Sequence, residues 1–376
     1  MVDVTKKKVL VLFMGMVIYA MLSIIFGPVI PKLMSEFNVD FTIAGTIVST
    51  WSLGAMTCFF TGKLPDKYGA YRMTKITLIL MAIFTVLMGL SRSLFELLIF
   101  SFLLGIASGT FDTSFNQVIL DMYPNSKGTM ATITHAFFGV GATLGPTVTT
   151  ITIVSSNNWR TPFLLYGIIM AVISCYQFVI KSADRKMEMT SKGNGFLDRS
   201  LVILAVCILI DFTIGTGINA WLTTYLVNTN KANYIEAGII ASSSWAFLAI
   251  GRFFVGRIAD KNGFRKTLVT FMIMGAISGA VSIFVDGLVP NAIIWGIVGL
   301  SLAPVYPLVL AIAYNKNQKS PGTAIGKIAA IGNIGGLIAA PLYGTINNLA
   351  DANIATLLIP VCYVILTLLF LKMKID

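Results

Sequence analysis

Residues Gly62–Arg72 read Gly-Lys-Leu-Pro-Asp-Lys-Tyr-Gly-Ala-Tyr-Arg, and Gly256–Lys266 return the same outline as Gly-Arg-Ile-Ala-Asp-Lys-Asn-Gly-Phe-Arg-Lys, 194 positions later. At that same offset, without a gap, Trp51 meets Trp245, Asp66 meets Asp260, Gly69 meets Gly263, Gly105 meets Gly299 and Gly141 meets Gly335. Matches held at one spacing over half a chain mark an internal duplication, so whatever the first half folds into, the second half repeats. In each copy the charged stretch lies between two long apolar runs. That predicts a short polar loop framed by Gly62, Asp66, Gly69 and Arg72, and again by Gly256, Asp260 and Gly263. The glycines let two helix ends approach, and the aspartate caps the following helix or binds nearby basic groups.

The apolar runs set the solvent. Hydrophobic residues make up 56% of the chain and charged ones only 11%, with a mean hydropathy of +0.84; soluble domains carry about a quarter charged residues. Each run is close to the roughly 20 residues that cross a bilayer. The spans are expected at about 9–31, 41–61, 73–90, 94–120, 129–153 and 161–180, then 201–226, 237–255, 267–285, 291–314, 324–346 and 354–371. The chain thus reads as an all-α membrane protein of twelve helices in two pseudo-repeated halves. Residues 1–180 form an N-terminal six-helix bundle, 181–200 a cytoplasmic linker and 201–376 a C-terminal six-helix bundle. The first run is too long for a cleaved signal and completes the sixfold repeat, so it counts as a span.

With both termini cytoplasmic, 23 of the 27 Lys and Arg face the cytoplasm, leaving Lys32, Arg92, Arg160 and Lys231 outside. This is the bias that sets orientation in a cell membrane, and it accounts for the net charge of +11 without a nucleic-acid partner. The four cysteines lie inside apolar runs at no metal-ligand spacing and read as packing residues. No cofactor or metal is indicated. With one histidine and no paired acids in a loop, the sequence offers no catalytic cluster, so an enzyme is not expected.

The repeated loop resembles the one between helices 2 and 3 of the major facilitator superfamily, with its weaker copy between helices 8 and 9. Membership implies a secondary transporter working by alternating access around a site at the interface of the halves, a functional monomer in a cell membrane. The charged loops are then conformational rather than substrate-reading.

Of the 16 carboxylates, only Asp112 and Asp211 fall well inside spans. A charge at bilayer depth costs about 2.5–3.5 kcal/mol on insertion scales, so each acid marks a candidate site. Asn116 follows Asp112 by one turn and projects from the same face. His135, the single histidine, lies at a comparable depth in the next helix, so an Asp-Asn-His cluster is expected. Asp211 shares its stripe with Gly215, Ile218 and Leu222, with Asn219 on the shoulder and Trp221 further along. It is either a second coupling acid or a binding group for a polar solute.

The repeat-related Gly139–Pro146 and Gly332–Pro341 stretches mark either kinks that free main-chain groups or close packing through small residues. Asn333 within the second suits a hydroxylated ligand. Trp51 and Trp245 are symmetry mates that could flank a cavity and stack on a sugar ring. No Lys or Arg is expected at mid-span, which argues against an anionic solute.

Asp112 to Asn116, Thr134 to Ala142 with Gly145-Pro146, Phe26 to Pro31, and Ala303-Pro304-Val305-Tyr306-Pro307 resemble the fucose/galactose/hexose proton-symporter branch of the superfamily. The resemblance implies Asp112 as the proton-carrying acid and Asn116 as a ligand for sugar hydroxyls, with Tyr306 in a familial motif. The expected activity is proton-coupled symport of a small neutral polar solute such as a sugar. The alternative is a proton-driven antiporter exporting drugs or metabolites, although helix 4 lacks the arginine motif usual in drug antiporters.

Overall fold

The computed structural model describes residues 2–61, 64–123, 127–179, 199–229, 231–316 and 321–373, and no strand occurs among them. The helices, in chain order, are α1 Val2–Ser23, α2 Phe26–Phe37, α3 Phe41–Met56, α4 Cys58–Thr61, α5 Leu64–Tyr68, α6 Ala70–Leu90, α7 Leu94–Met122, α8 Lys127–Ser156 and α9 Arg160–Val179. They continue with α10 Arg199–Asn228, α11 Tyr234–Asn262, α12 Phe264–Val281, α13 Leu288–Leu302, α14 Val305–Lys316, α15 Pro321–Leu349, α16 Ala352–Thr356 and α17 Leu358–Lys372. Lipid offers the main chain no hydrogen-bond partner, so long apolar runs satisfy their own amides as helices. Among the described residues eight helices are long and apolar enough to cross a membrane, and the pair α1–α2, bent by 42°, makes up to nine. Nearly all of the expected linker lies outside the described residues.

The breaks fall where the glycine-proline stretches did not place them. Helices α8 and α15 run unbroken through Pro146 and Pro341, whereas expected spans are interrupted at Ile24-Ile25 and Ala303-Pro304, and also at Thr57 and Leu357. A proline ring clashes with the carbonyl four residues earlier. For Pro28 that residue is Ile24, and for Pro307 it is Ala303. In α15 the carbonyl opposed by Pro341 is Leu337 O, which accepts a hydrogen bond from Ser49 Oγ at 2.6 Å, and Ala340 O accepts one from Trp221 Nε1 at 2.9 Å. With outside donors supplied, the helix continues.

The charged repeats are also more helical than a polar loop. Residues 64–68 form α5, and α11 continues through Gly256 and Asp260 to Asn262. What breaks the chain in both copies is one glycine, Gly69 at φ 94° and Gly263 at φ 86°, a region closed to most side chains. Their amides donate to repeat-related carbonyls, Pro65 O at 2.9 Å and Ala259 O at 2.8 Å. Asp260 is exposed within α11 and does not cap α12, whose N-cap Gly263 has no side-chain bond. Gly62 and the side chain of Asp66 lie outside the described residues. Arg72 is exposed on α6.

Contacts group the chain into two compact units, residues 1–25 with 50–191, and residues 26–49 with 192–376. In the first, α1 lies on α8 and α9, and α6 on α7 and α9; in the second, α10 lies on α15 and α17, and α12 on α13 and α17. These are the same pairings at the repeat offset. Repeat-related glycines make them possible. A Cβ on Gly105 would meet Trp51 O and one on Gly299 would meet Ser244 O, each closer than 3.0 Å, and Gly141 and Gly335 abut the main chain of α1 and α10 in the same way. The small-residue stretches in α8 and α15 are therefore close-packing surfaces. The second unit also holds α2 and the first half of α3. There Tyr234 Oη donates to Pro28 O, Thr42 and Thr345 hydroxyls pair at 3.1 Å, and Gly45 lies against Ala340.

Candidate functional site

Each unit carries one membrane-depth acid with polar company. In the first unit the i to i+4 spacing on α7 does what it promises. Asn116 Nδ2 donates to Asp112 Oδ1 at 3.2 Å and to Asp112 O at 2.9 Å. Both residues are half-buried. An aromatic neighbour comes from α1, where Tyr19 lies within electrostatic reach of Asp112 and Cys58. Its ring is held by Phe111 at 5.2 Å and Phe138 at 6.0 Å. Phe13 stacks on Phe137 at 4.5 Å, so the paired phenylalanines of α8 are packing against α1. His135, two residues before them, falls on the exposed side of α8.

In the second unit Asp211 is 8% exposed on α10, and its Oδ1 is buried without a hydrogen-bond partner. Arg252 of α11 lies within electrostatic reach of Asp211 and of Tyr306 of α14. Arg252 Nε is buried and likewise unpartnered. Phe212, next to Asp211, stacks with Tyr306 at 5.9 Å and 25°. One turn beyond Asp211, a Cβ on Gly215 would meet nothing within 4 Å, so the stripe opens into space beside the acid. At about 1.5 Å per residue, Asp211 lies about 18 Å from the start of α10, and Arg252 about 15 Å from the end of α11. The two groups are thus at similar depth on neighbouring helices.

Arg252 corrects the expectation that no cation reaches the interior, and with it the premise for excluding an anionic solute. Along the chain it reads as a cytoplasmic charge because it stands close to the end of its apolar run. The signal that points to it is the repeat itself. The offset of 194 matches Arg252 to Cys58 and Tyr306 to Asp112, so the two clusters occupy equivalent places in the two units. Each holds one acid and one phenol, and they differ in which helix supplies which. Tyr19 was missed for a simpler reason, that a tyrosine in an apolar run reads as packing.

The remaining candidates divide. Trp51 Nε1 donates to Ser108 Oγ at 2.8 Å, tying α3 to α7. Trp221 is buried, bonded to Ala340 O and 5.7 Å from the Phe41 ring. Both side chains are thereby tied to neighbouring helices. Trp245, Asn219 and Asn333 are half-buried. A cavity of about 30 Å³, lined by Trp221, Tyr225, Tyr343 and Asn347 among others, has room for a water-sized guest and not for a sugar.

Residues 12–371 match the model of the Major Facilitator Superfamily. The chain belongs to that superfamily. It is 21% identical over 352 residues to the TsgA homologue of Buchnera aphidicola, covering 91% of this chain and 90% of that protein. It is 20% identical over 338 residues to the glucose/mannose transporter GlcP of Bacillus subtilis, covering 85% and 82%. A bacterial homologue of the human lysosomal transporter Spinster, in an inward-facing and occupied conformation, shares the fold at a TM-score of 0.82 and 14% identity, over 96% of this chain and 95% of that one. As a superfamily member the protein is a multi-pass membrane transporter of small molecules and not an enzyme.

Proposed function

We propose that this superfamily member is a proton-coupled symporter of a small polar solute, with a sugar as first choice, working by alternating access. It spans a bacterial inner membrane twelve times in two six-helix halves, acts as a monomer, and keeps both termini in the cytoplasm. The observation that carries the reading is the Asp112–Asn116 pair. A lone carboxylate at this depth is costly when charged, and protonation removes both the charge and its desolvation cost. The amide beside it supplies a donor to the charged acid and leaves its own oxygen to a solute hydroxyl. Occupancy by a proton then decides whether the loaded carrier can reorient, which is a two-state equilibrium biased by binding. The similarity to a glucose/mannose transporter favours a sugar among polar solutes. Asp211 is a second ion-handling position, and His135 and Asn333 are solute or proton contacts of lower rank. The Gly69 and Gly263 turns with Asp66 and Asp260 serve the conformational change.

The test is uptake into membrane vesicles under an imposed proton gradient, run with radiolabelled glucose, galactose and fucose and with cationic dyes. Gradient-driven accumulation of a sugar, abolished by a protonophore, is expected. Gradient-driven expulsion of dyes with no sugar uptake would overturn the reading in favour of an exporter.

A further inference from the structure

We propose that Arg252 is a carboxylate-binding residue, so that the transported solute is a small organic acid held by the guanidinium beside Asp211. The proposal rests on the symporter reading and replaces its first-choice neutral sugar with a solute that carries a carboxylate, such as a sugar acid. An arginine inside a membrane bundle is expensive unless something compensates its charge, and here Asp211 from α10 is the compensating group. The compensation is incomplete in geometry. Arg252 Nε and Asp211 Oδ1 are both buried without hydrogen-bond partners. Buried donors left unmade cost free energy, and a guanidinium presents five of them in a planar fork. A ligand carboxylate accepts two of those bonds at once, in the geometry the fork is built for.

The surroundings narrow the class. A proton on Asp211 leaves the guanidinium as one net positive charge, which balances a monovalent acid and falls short of a dianion such as phosphate. The Phe212–Tyr306 stack beside the pair offers a flat apolar wall for an organic body. Gly215, one turn along α10, leaves open space next to the acid. Arg252 and Tyr306 also hold the positions that Cys58 and Asp112 hold in the other unit, so the second cluster sits where the first already places chemistry. Two equivalent places then divide the work, the proton at Asp112 and the solute anion at Arg252.

The experiment uses purified full-length protein and ligand-dependent thermal stabilisation, with two probe pairs that differ only in a carboxylate, glucuronate against glucose and benzoate against benzyl alcohol. The wild type is expected to be half-saturated by the acid of a pair at about 10- to 100-fold lower concentration than by its neutral partner, the scale of a charge-assisted hydrogen bond. In Arg252→Gln the preference should fall to about onefold, and Arg252→Lys should keep part of it as a point charge without the fork. Because Arg252→Gln leaves Asp211 uncompensated, the charge-neutral double variant Asp211→Asn/Arg252→Gln is measured alongside and should fold and show the same loss. A preference for acids that survives in the double variant, or no preference in either pair with the wild type, overturns the proposal. Equal binding of glucose and glucuronate would leave the sugar reading standing while removing Arg252 from it. An acid preference in the benzoate pair with no binding of either sugar would do the reverse.

Discussion

At the scale of single residues, the two acids do different things although both are held at bilayer depth. Asp112 has an amide one turn away that bonds to it; Asp211 has a cation across a helix interface and a bare carboxylate oxygen. Asp112→Asn keeps the size and the hydrogen bond to Asn116 and removes the titrating proton. Equilibrium exchange of labelled for unlabelled solute should persist, while accumulation against a gradient should stop. A potential of 100 mV is worth about 2.3 kcal/mol per charge, about a 50-fold concentration ratio, and the variant's ratio should fall to about one. Asp211→Asn should instead act on Arg252, which would then be a buried charge without its partner. Thermal melting of the purified variant should show a loss on the order of 1 kcal/mol, the guanidinium being left without its nearby counter-charge. Near-normal melting together with abolished accumulation would make Asp211 the coupling acid instead.

At the scale of helices, stability rests on how closely backbones approach. Gly299 has no room for a methyl group against Ser244 O, whereas a Cβ on Gly256, in the same unit and inside α11, would meet nothing within 4 Å. Gly299→Ala should therefore cost about 1–3 kcal/mol or more through overpacking. Gly256→Ala should stabilise by up to about 1 kcal/mol, because alanine loses less backbone freedom in a helix. Opposite shifts in melting temperature for two Gly→Ala changes check this directly. Equal shifts would mean that packing at α11 and α13 does not set the melt. Ser49 gives a second handle, since its hydroxyl is the donor on the carbonyl that Pro341 opposes. Ser49→Ala should destabilise by about 1 kcal/mol, more than the same change at the half-buried Ser243, whose hydroxyl answers an intact helix carbonyl as well as Ala292 O.

For the whole molecule, orientation and switching are the properties that no single element holds. Positive-inside insertion predicts that a cysteine at Ser191, in the expected linker, is labelled only from the cytoplasmic side, and one at Asp286, exposed after α12, only from outside. Impermeant maleimide on intact cells and inverted vesicles, in a background without the four native cysteines, reads both. Labelling of both from one face would break the span assignment. The charged repeats should set the rate of reorientation for all solutes alike. Asp66→Asn should slow transport of every substrate by a similar factor and leave binding affinity in detergent nearly unchanged, whereas a loss confined to one substrate would place the loop in the binding site.

The sequence by itself determined that the chain is helical and suited to lipid, that it is duplicated, and that Asp112 and Asn116 share one helix face. Each of these is local or periodic, a run long enough to span lipid, an offset of 194, or an i to i+4 pair such as Asp112 and Asn116 whose hydrogen bond follows from helix geometry alone. What only the tertiary structure decided is which equivalent-looking residues receive a partner. Pro28 and Pro307 break their helices while Pro146 and Pro341 do not, and at Pro341 the difference is Ser49 and Trp221 arriving from other helices with donors. Arg252 reads along the chain as a charge near a span's end, and becomes a site because α11 lays it beside Asp211 of α10. Helix geometry is fixed by neighbours in sequence, but the compensation of a buried charge or a freed carbonyl is fixed by neighbours in space, and packing alone supplies those.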